Sequence, residues 1–185
     1  DGAPVEKVRA IDVVAQAIDP FCDPEAYYAL ARDPELKLIV SNTTEAGICF
    51  NAADTIDNFA SMTYPAKLTL FLLERFKAGQ LPLTVQSMDN CSHNGDKLYA
   101  AIEAFAKAWS ENGLAPAGFL AYVNDKTKVS FPWSMIDKIT PRPDASVEEI
   151  LKKDGIEGLE PVITSKNTYV APFVNAEECE YLVIE

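Results

Sequence analysis

Residues 81–109, LPLTVQSMDNCSHNGDKLYAAIEAFAKAW, leave this chain few ways to fold. Leu83, Thr84 and Val85 make a short apolar run set off by Pro82, the pattern of a buried strand. Leu98, Ala101, Ile102, Phe105 and Trp109 then recur at helical spacing, so one stripe of the following helix faces a core. A polar knot from Ser87 to Gly95 separates the two. Asn94 is placed to cap the helix, and Asp96 in the first turn suits the positive end of the helix dipole. Open α/β sheets take their ligands at polar turns of this kind, where a buried strand gives way to a helix. Helix caps use the same residue types, so a capped turn without a ligand explains this stretch equally well.

The same alternation extends in both directions. The chain opens without a methionine, as an internal cut would, and Val8–Val14 reads as a strand. Asp23-Pro24 supplies a cap and a first-turn proline for a short helix carrying Tyr27, Leu30 and Ala31. Leu36–Val40 is the next strand. From Asn42 to Met62 no regular element is evident, and compact domains rarely carry ~20 structureless residues without a functional reason. This connection leaves the carboxyl end of a buried strand. Thr63 and Pro65 begin a helix whose Leu68, Leu70, Phe71, Leu72, Leu73 and Phe76 predict burial on most sides. Gly79 ends it.

Asn112-Gly113 stops the long helix, and a shorter one is predicted from Pro116 to Val123. Lys128–Phe131 is a third strand of parallel type. Ser146 and Glu149 form a capping box ahead of Val147, Ile150 and Leu151. Strand-like runs follow at Pro161–Thr164, Tyr169–Val174 and Glu180–Ile184. The fold class is therefore α/β: a βαβαβ half of a doubly wound sheet over residues 36–131, with extra strands in the C-terminal tail. Its three main strands should be parallel neighbours with the intervening helices packed on the sheet.

Composition narrows the partners. A chain of 185 residues suits one domain, and its apolar runs fall far short of a bilayer span or a signal peptide. Net charge of −12 argues against nucleic acid and anionic membranes. An anionic ligand would need helix N-termini or single cations such as Lys67, Lys97, Lys138 or Arg142. Cys22, Cys49, Cys91 and Cys179 are scattered, which favours reduced thiols in a cytoplasmic protein. Cys91 and His93 have no second cluster to complete a metal site. Ser92, His93 and Asp89 lack a nucleophile elbow, and His93 reads as a polar helix-start residue. Neither a G-x-G-x-x-G nor a P-loop occurs. Either nucleotide binding is absent or the first half of the fold lies outside these residues.

Four ordered blocks favour the second reading: Ser41-Asn42-Thr43-Thr44-Glu45-Ala46-Gly47-Ile48, Tyr64-Pro65-Ala66-Lys67-Leu68-Thr69, Met88-Asp89-Asn90 with His93-Asn94-Gly95, and Ser134-Met135-Ile136-Asp137-Lys138-Ile139-Thr140-Pro141. Together they resemble the mannitol dehydrogenase and hexuronate (fructuronate, tagaturonate) reductase family of long-chain polyol dehydrogenases, from about Val8 to Pro141. Glu180–Glu185 is loosely similar to that family's W-V-I-E-D run. The first block is closer to tagaturonate reductases; the third and fourth lean towards fructuronate reductases and mannitol dehydrogenases.

The resemblance implies an NAD(P)-dependent oxidoreductase interconverting a secondary alcohol and a ketone on an open-chain polyol or sugar acid. It implies that residues 1–145 are the second half of a Rossmann-type N-terminal domain. Residues 146–185 would extend that domain towards a helical C-terminal one. The family's glycine-rich fingerprint would precede this chain, and its catalytic Lys, Asn and His would follow Glu185, so no catalytic residue is expected here. Where mannitol dehydrogenases read F-P-N-S-M, this chain has Trp133, a substrate-side candidate that can donate through its indole N–H.

Asn42, Thr43, Thr44, Glu45, Asp89 and Asn90 are the candidate contacts to NAD or NADP, because small hydroxyls and amides can bond ribose and carboxamide without crowding them. Glu45 serves equally well as a tie from the loop to a backbone N–H, and Asp137 with Lys138 as a structural pair. Two other classes stay open: a non-catalytic Rossmann-like domain binding a partner or small anion, and a transferase using another nucleotide-derived cofactor.

Overall fold

The structure is a computed structural model that describes residues 6–137, 142–173 and 183–184. Its centre is a parallel sheet in which β1 (Leu38–Ser41) pairs with β2 (Leu83–Ser87), and β2 with β3 (Val129–Ser130). Leu38 lies opposite Thr84 and Ser41 opposite Ser87, while Leu83 faces Val129. Alternation along the strands then fixes two faces. Leu83, Val85 and Val129 share the face that is buried in the core. Leu38, Val40, Thr84, Gln86 and Ser130 share the other. The three-strand prediction is borne out.

The helices pack on the first of these faces. α1 (Pro24–Arg32) starts at Asp23, whose carboxylate accepts from the Ala26 N–H, and it lies against α2 (Tyr64–Lys77). α2 is buried nearly all round, with Leu68, Leu70, Phe71, Leu72 and Leu73 in the core, as its composition predicts. α3 (Asn94–Glu111) places Leu98, Ile102, Phe105 and Trp109 inward, and α4 (Phe119–Asn124) adds Phe119, Tyr122 and Val123. Beyond the sheet come β4 (Trp133–Ser134), α5 (Ala145–Lys153), a hairpin of β5 (Val162–Ile163) with β6 (Tyr169–Val170), and β7 (Val183–Ile184). β7 returns antiparallel to β4, with Trp133 opposite Ile184.

At the amino edge of the sheet one side chain closes the structure. Arg75 is fully buried, and its guanidinium donates to the carbonyls of Ala31 and Asp33 (2.9 and 3.0 Å) and of Leu36 and Pro82 (2.9 and 2.6 Å). Those carbonyls end α1 and precede β1 and β2. Nearby, Tyr122 donates to the Leu81 carbonyl at 2.6 Å, and burial pushes its phenol up to about 12.

Several expectations need correction. Residues 8–14 form no strand: Val8 is 94% and Val13 83% exposed, and among the described residues no neighbour supplies a ladder. Apolar β-branched composition gives propensity, but a strand also needs partner N–H and C=O groups. Asn94 does not cap α3; His93 occupies that position in left-handed geometry, and the Asn94 amide is used elsewhere. Asp144, and not the Ser146–Glu149 box, caps α5 by accepting from the Ser146 N–H at 2.8 Å. The helix predicted from Pro116 begins only at Phe119, because Gly118 sits at φ 91°. Parts of the predicted tail strands, and Lys138 with its suggested pairing, lie outside the described residues.

Arg75→Met keeps the apolar stem but strips four carbonyls of their donor. At about 1–3 kcal/mol per buried unsatisfied group, the loss should reach at least ~3 kcal/mol. It would be read as a lower urea midpoint, with Arg75→Lys recovering part of it. An unchanged midpoint for Arg75→Met would remove the clasp from this role.

Candidate functional site

The register of β1 and β2 builds the site. With Ser41 opposite Ser87, the residues that leave the two strands meet at the carboxyl edge. There the Thr43 N–H and hydroxyl both donate to Asp89 Oδ1, at 2.6 and 3.0 Å, and the Ser87 hydroxyl donates to Oδ2 at 2.7 Å. Asp89 is buried, so its charge is answered by three donors in place of water. Burial pushes the Tyr64 phenol up from its ordinary value, and the charge of Asp89 adds to that shift.

A third loop is tied in by Asn94. Its amide NH2 donates to the Asp89 carbonyl (3.1 Å) and the Ser134 carbonyl (2.7 Å), and its oxygen accepts from the Ser134 N–H at 2.9 Å. One buried side chain thus acts as a strand partner for Ser134 and holds β4 against the start of α3. Gly95 makes the approach possible: a Cβ there would lie 2.4 Å from the Phe131 carbonyl oxygen and 2.7 Å from that of Pro132. Gln86 completes the link through a 3.0 Å bond to the Ser134 hydroxyl.

The long connection after β1 carries only two 3₁₀ turns, Glu45–Gly47 and Phe59–Ser61, as its sequence predicts. It runs along one stripe of α3. Glu45 pairs with Lys97, the Phe50 ring meets Phe105 at 4.7 Å, and Trp109 donates its indole N–H to the Asp54 carbonyl at 3.1 Å. The Asp54 carboxylate in turn accepts from the N–H and hydroxyl of Thr63, just before α2. The Lys97 ammonium is held above its ordinary range by the hydrogen bond to Glu45. Glu45 therefore does tie the loop down, but to a lysine side chain and not to a backbone N–H.

The predicted residues thus gather on one edge of the sheet, although the two groups stand more than 40 positions apart. Asn42, Thr44 and Asn90 are exposed there, Thr43 is half-buried and Asp89 is buried. Asn90 donates to the Asp137 carboxylate at 3.2 Å. A cavity of about 310 Å³ opens beside it, lined by Asn90, Cys91, His93, Trp133, Met135 and Asp137. Sequence reasoning missed the clasp made by Asn94 and Ser134, since the polar type of Asn94 at a helix start pointed to a cap. The adjoining Gly95 was the available signal, because a glycine in a first helical turn marks close approach of another backbone.

A parallel sheet with helices packed on it and a crevice beside the carboxyl end of β2 defines a doubly wound α/β domain. The family described as the mannitol dehydrogenase Rossmann domain matches residues 1–168, and the chain belongs to it. It is similar to a D-mannonate oxidoreductase of Thermotoga maritima, with 41% identity over 88% of this chain and 32% of that protein. An altronate oxidoreductase of Bacillus subtilis is 33% identical over 81% of this chain and 31% of its own length. The chain thus spans about a third of these curated relatives. A crystal structure of D-sorbitol dehydrogenase shares the fold, with a TM-score of 0.50 and 24% identity over 74% of this chain and 29% of that one.

Asn94→Ala should leave the N–H and C=O of Ser134 without their protein partners, at about 1–3 kcal/mol for each group that stays buried. Asn94→Asp should do at least as much damage, because it sets an acceptor against the carbonyls of Asp89 and Ser134. Thermal unfolding of the two variants tests this, and an Asp variant as stable as the parent would contradict the clasp.

Proposed function

We propose that the full-length protein is an NAD(P)-dependent oxidoreductase that interconverts a secondary alcohol and a ketone on an open-chain sugar acid. The reaction would be of the mannonate/fructuronate or altronate/tagaturonate type. The observation that carries this reading is the family match across residues 1–168, with the loops that follow β1 and β2 meeting at one sheet edge. We place the enzyme in the cytoplasm, where thiols such as the free Cys22, Cys49 and Cys91 persist. No helix among the described residues is long and apolar enough to cross a membrane.

The cofactor's nicotinamide ring supplies the hydride chemistry when bound. The donor set here suits its ribose and carboxamide end. Exposed Asn42, Thr44 and Asn90 offer amides and a hydroxyl, while Asp89 and Thr43 lock the two loops that present them. Glu45, through Lys97, latches the start of the first loop to α3. The pyrophosphate needs a glycine-rich turn that these 185 residues do not contain. Trp133 lies on the substrate side of the crevice. Residues 1–145 serve as the second half of the cofactor domain. Residues 146–185 extend the same domain, a reading supported by the return of β7 to β4.

Purified full-length enzyme should oxidise NADH or NADPH with fructuronate or tagaturonate, whereas the 185-residue chain by itself should leave the nicotinamide absorbance unchanged. Asn90→Ala removes one neutral side-chain hydrogen bond to the cofactor, about 0.5–1.5 kcal/mol. Cofactor affinity should then fall several-fold, up to about tenfold. The melting temperature should hardly move, since Asn90 is exposed and caps no helix. Lost stability with unchanged affinity would assign Asn90 to the scaffold.

A further inference from the structure

His93 is the residue at this edge that neither the loop clasp nor the cofactor contacts use. Its backbone lies in the left-handed region at φ 54° and ψ 45°, which histidine, like asparagine and aspartate, adopts more readily than other side chains. The conformation brings the imidazole flat against the Trp133 indole, with ring centroids 4.1 Å apart and planes within 12°. Among the described residues it is the one ring stacked on Trp133.

Trp133 also stands between two cavities. It lines the 310 Å³ cavity beside Asn90, and it lines a second of about 410 Å³ bounded by Asp96, Tyr99, Asn124 and Phe131 along the free edge of β3. The half-buried indole therefore borders both cavities. Its backbone is fixed by the pairing of β4 with β7 and by the Asn94 clasp at Ser134. The aromatic contact on the ring itself is the imidazole, which is exposed and has its Nδ1 3.8 Å from the Asp96 carboxylate.

We propose that His93 is a positioning residue for substrate selection: by stacking on Trp133 it holds the indole as the wall that closes the substrate end of the crevice off from the cavity along β3. This rests on the oxidoreductase reading and names the residue that sets its substrate boundary. Stacking needs a flat ring and not a titrating nitrogen, so a phenyl ring should replace the imidazole. Without a ring, the indole can rotate, the two cavities merge, and the wall against which a sugar acid is discriminated is lost.

The test uses the full-length enzyme with His93→Asn, His93→Phe and Trp133→Ala. Asparagine tolerates left-handed geometry yet offers no ring, so it removes the stack without straining the turn. His93→Asn should raise KM for the preferred hexuronate roughly two- to tenfold, the size of a lost aromatic contact, and narrow the discrimination between fructuronate and tagaturonate. KM for the nicotinamide cofactor should stay near the parent value, and His93→Phe should restore both sugar readouts. Equal loss in His93→Asn and His93→Phe, with both variants melting at the parent temperature, would assign the effect to the ring nitrogens and overturn the stacking role. So would sugar and cofactor KM rising together, or a sugar KM raised by Trp133→Ala but untouched by His93→Asn. A parent enzyme that turns over neither hexuronate would instead overturn the oxidoreductase reading, and this inference with it.

Discussion

Four carbonyl groups converge on one buried guanidinium, and the rest of the sheet depends on that convergence. Arg75 reaches the end of α1 and the residues before β1 and β2, so the stretch from Ala31 to Leu36 and the approach to β2 at Pro82 share a single guanidinium. Only arginine offers enough fixed donors in a plane to do this. No carboxylate takes part; the positive charge is met by carbonyl dipoles, and burial lowers the pKa of the guanidinium from its ordinary value. With the amino edge set in this way, the register of Leu38 against Thr84 follows, and that register brings Thr43 to Asp89 at the other edge.

The two edges differ in kind. Arg75 joins segments through backbone carbonyls alone, so the amino edge holds whatever side chains the neighbouring positions carry. The carboxyl edge is held by side chains bonded to backbone and to one another: Asp89 to Thr43 and Ser87, Asn94 to Asp89 and Ser134. Buried polar groups fully answered in this way fix a unique geometry. This geometry leaves the amides of Asn42 and Asn90 exposed at the carboxyl edge, with Asn90 lining the cavity there.

How much of this was legible in the sequence follows from the range of each interaction. Strands and helices were readable because periodicity is local: the apolar run at Leu83–Val85 and the stripe from Leu98 to Trp109 each signal their element without reference to the rest of the chain. The convergence of the candidate residues was also readable, since parallel order places successive strand ends side by side. Arg75 was not, because an arginine in a leucine-rich helix carries no mark of carbonyl partners up to 44 positions away. Asn94 was misread as a cap for the same reason: its main partner, Ser134, lies 40 residues on. Val8–Val14 failed the other way, since strand propensity there meets no partner among the described residues.

The attachment of the long loop to α3 has a gradient built into it. Its three anchors along the helix are an exposed ion pair at Glu45–Lys97, an aromatic contact at Phe50–Phe105 and a buried hydrogen bond from Trp109 to Asp54. Exposed ion pairs contribute little and weaken as salt screens them, whereas the other two anchors do not depend on charge. The loop is therefore hinged far from the crevice and only latched beside it. Ionic strength, or an anion competing for Lys97, loosens the latch and leaves the hinge intact, so the start of the loop can adjust while the core beneath it stays unchanged.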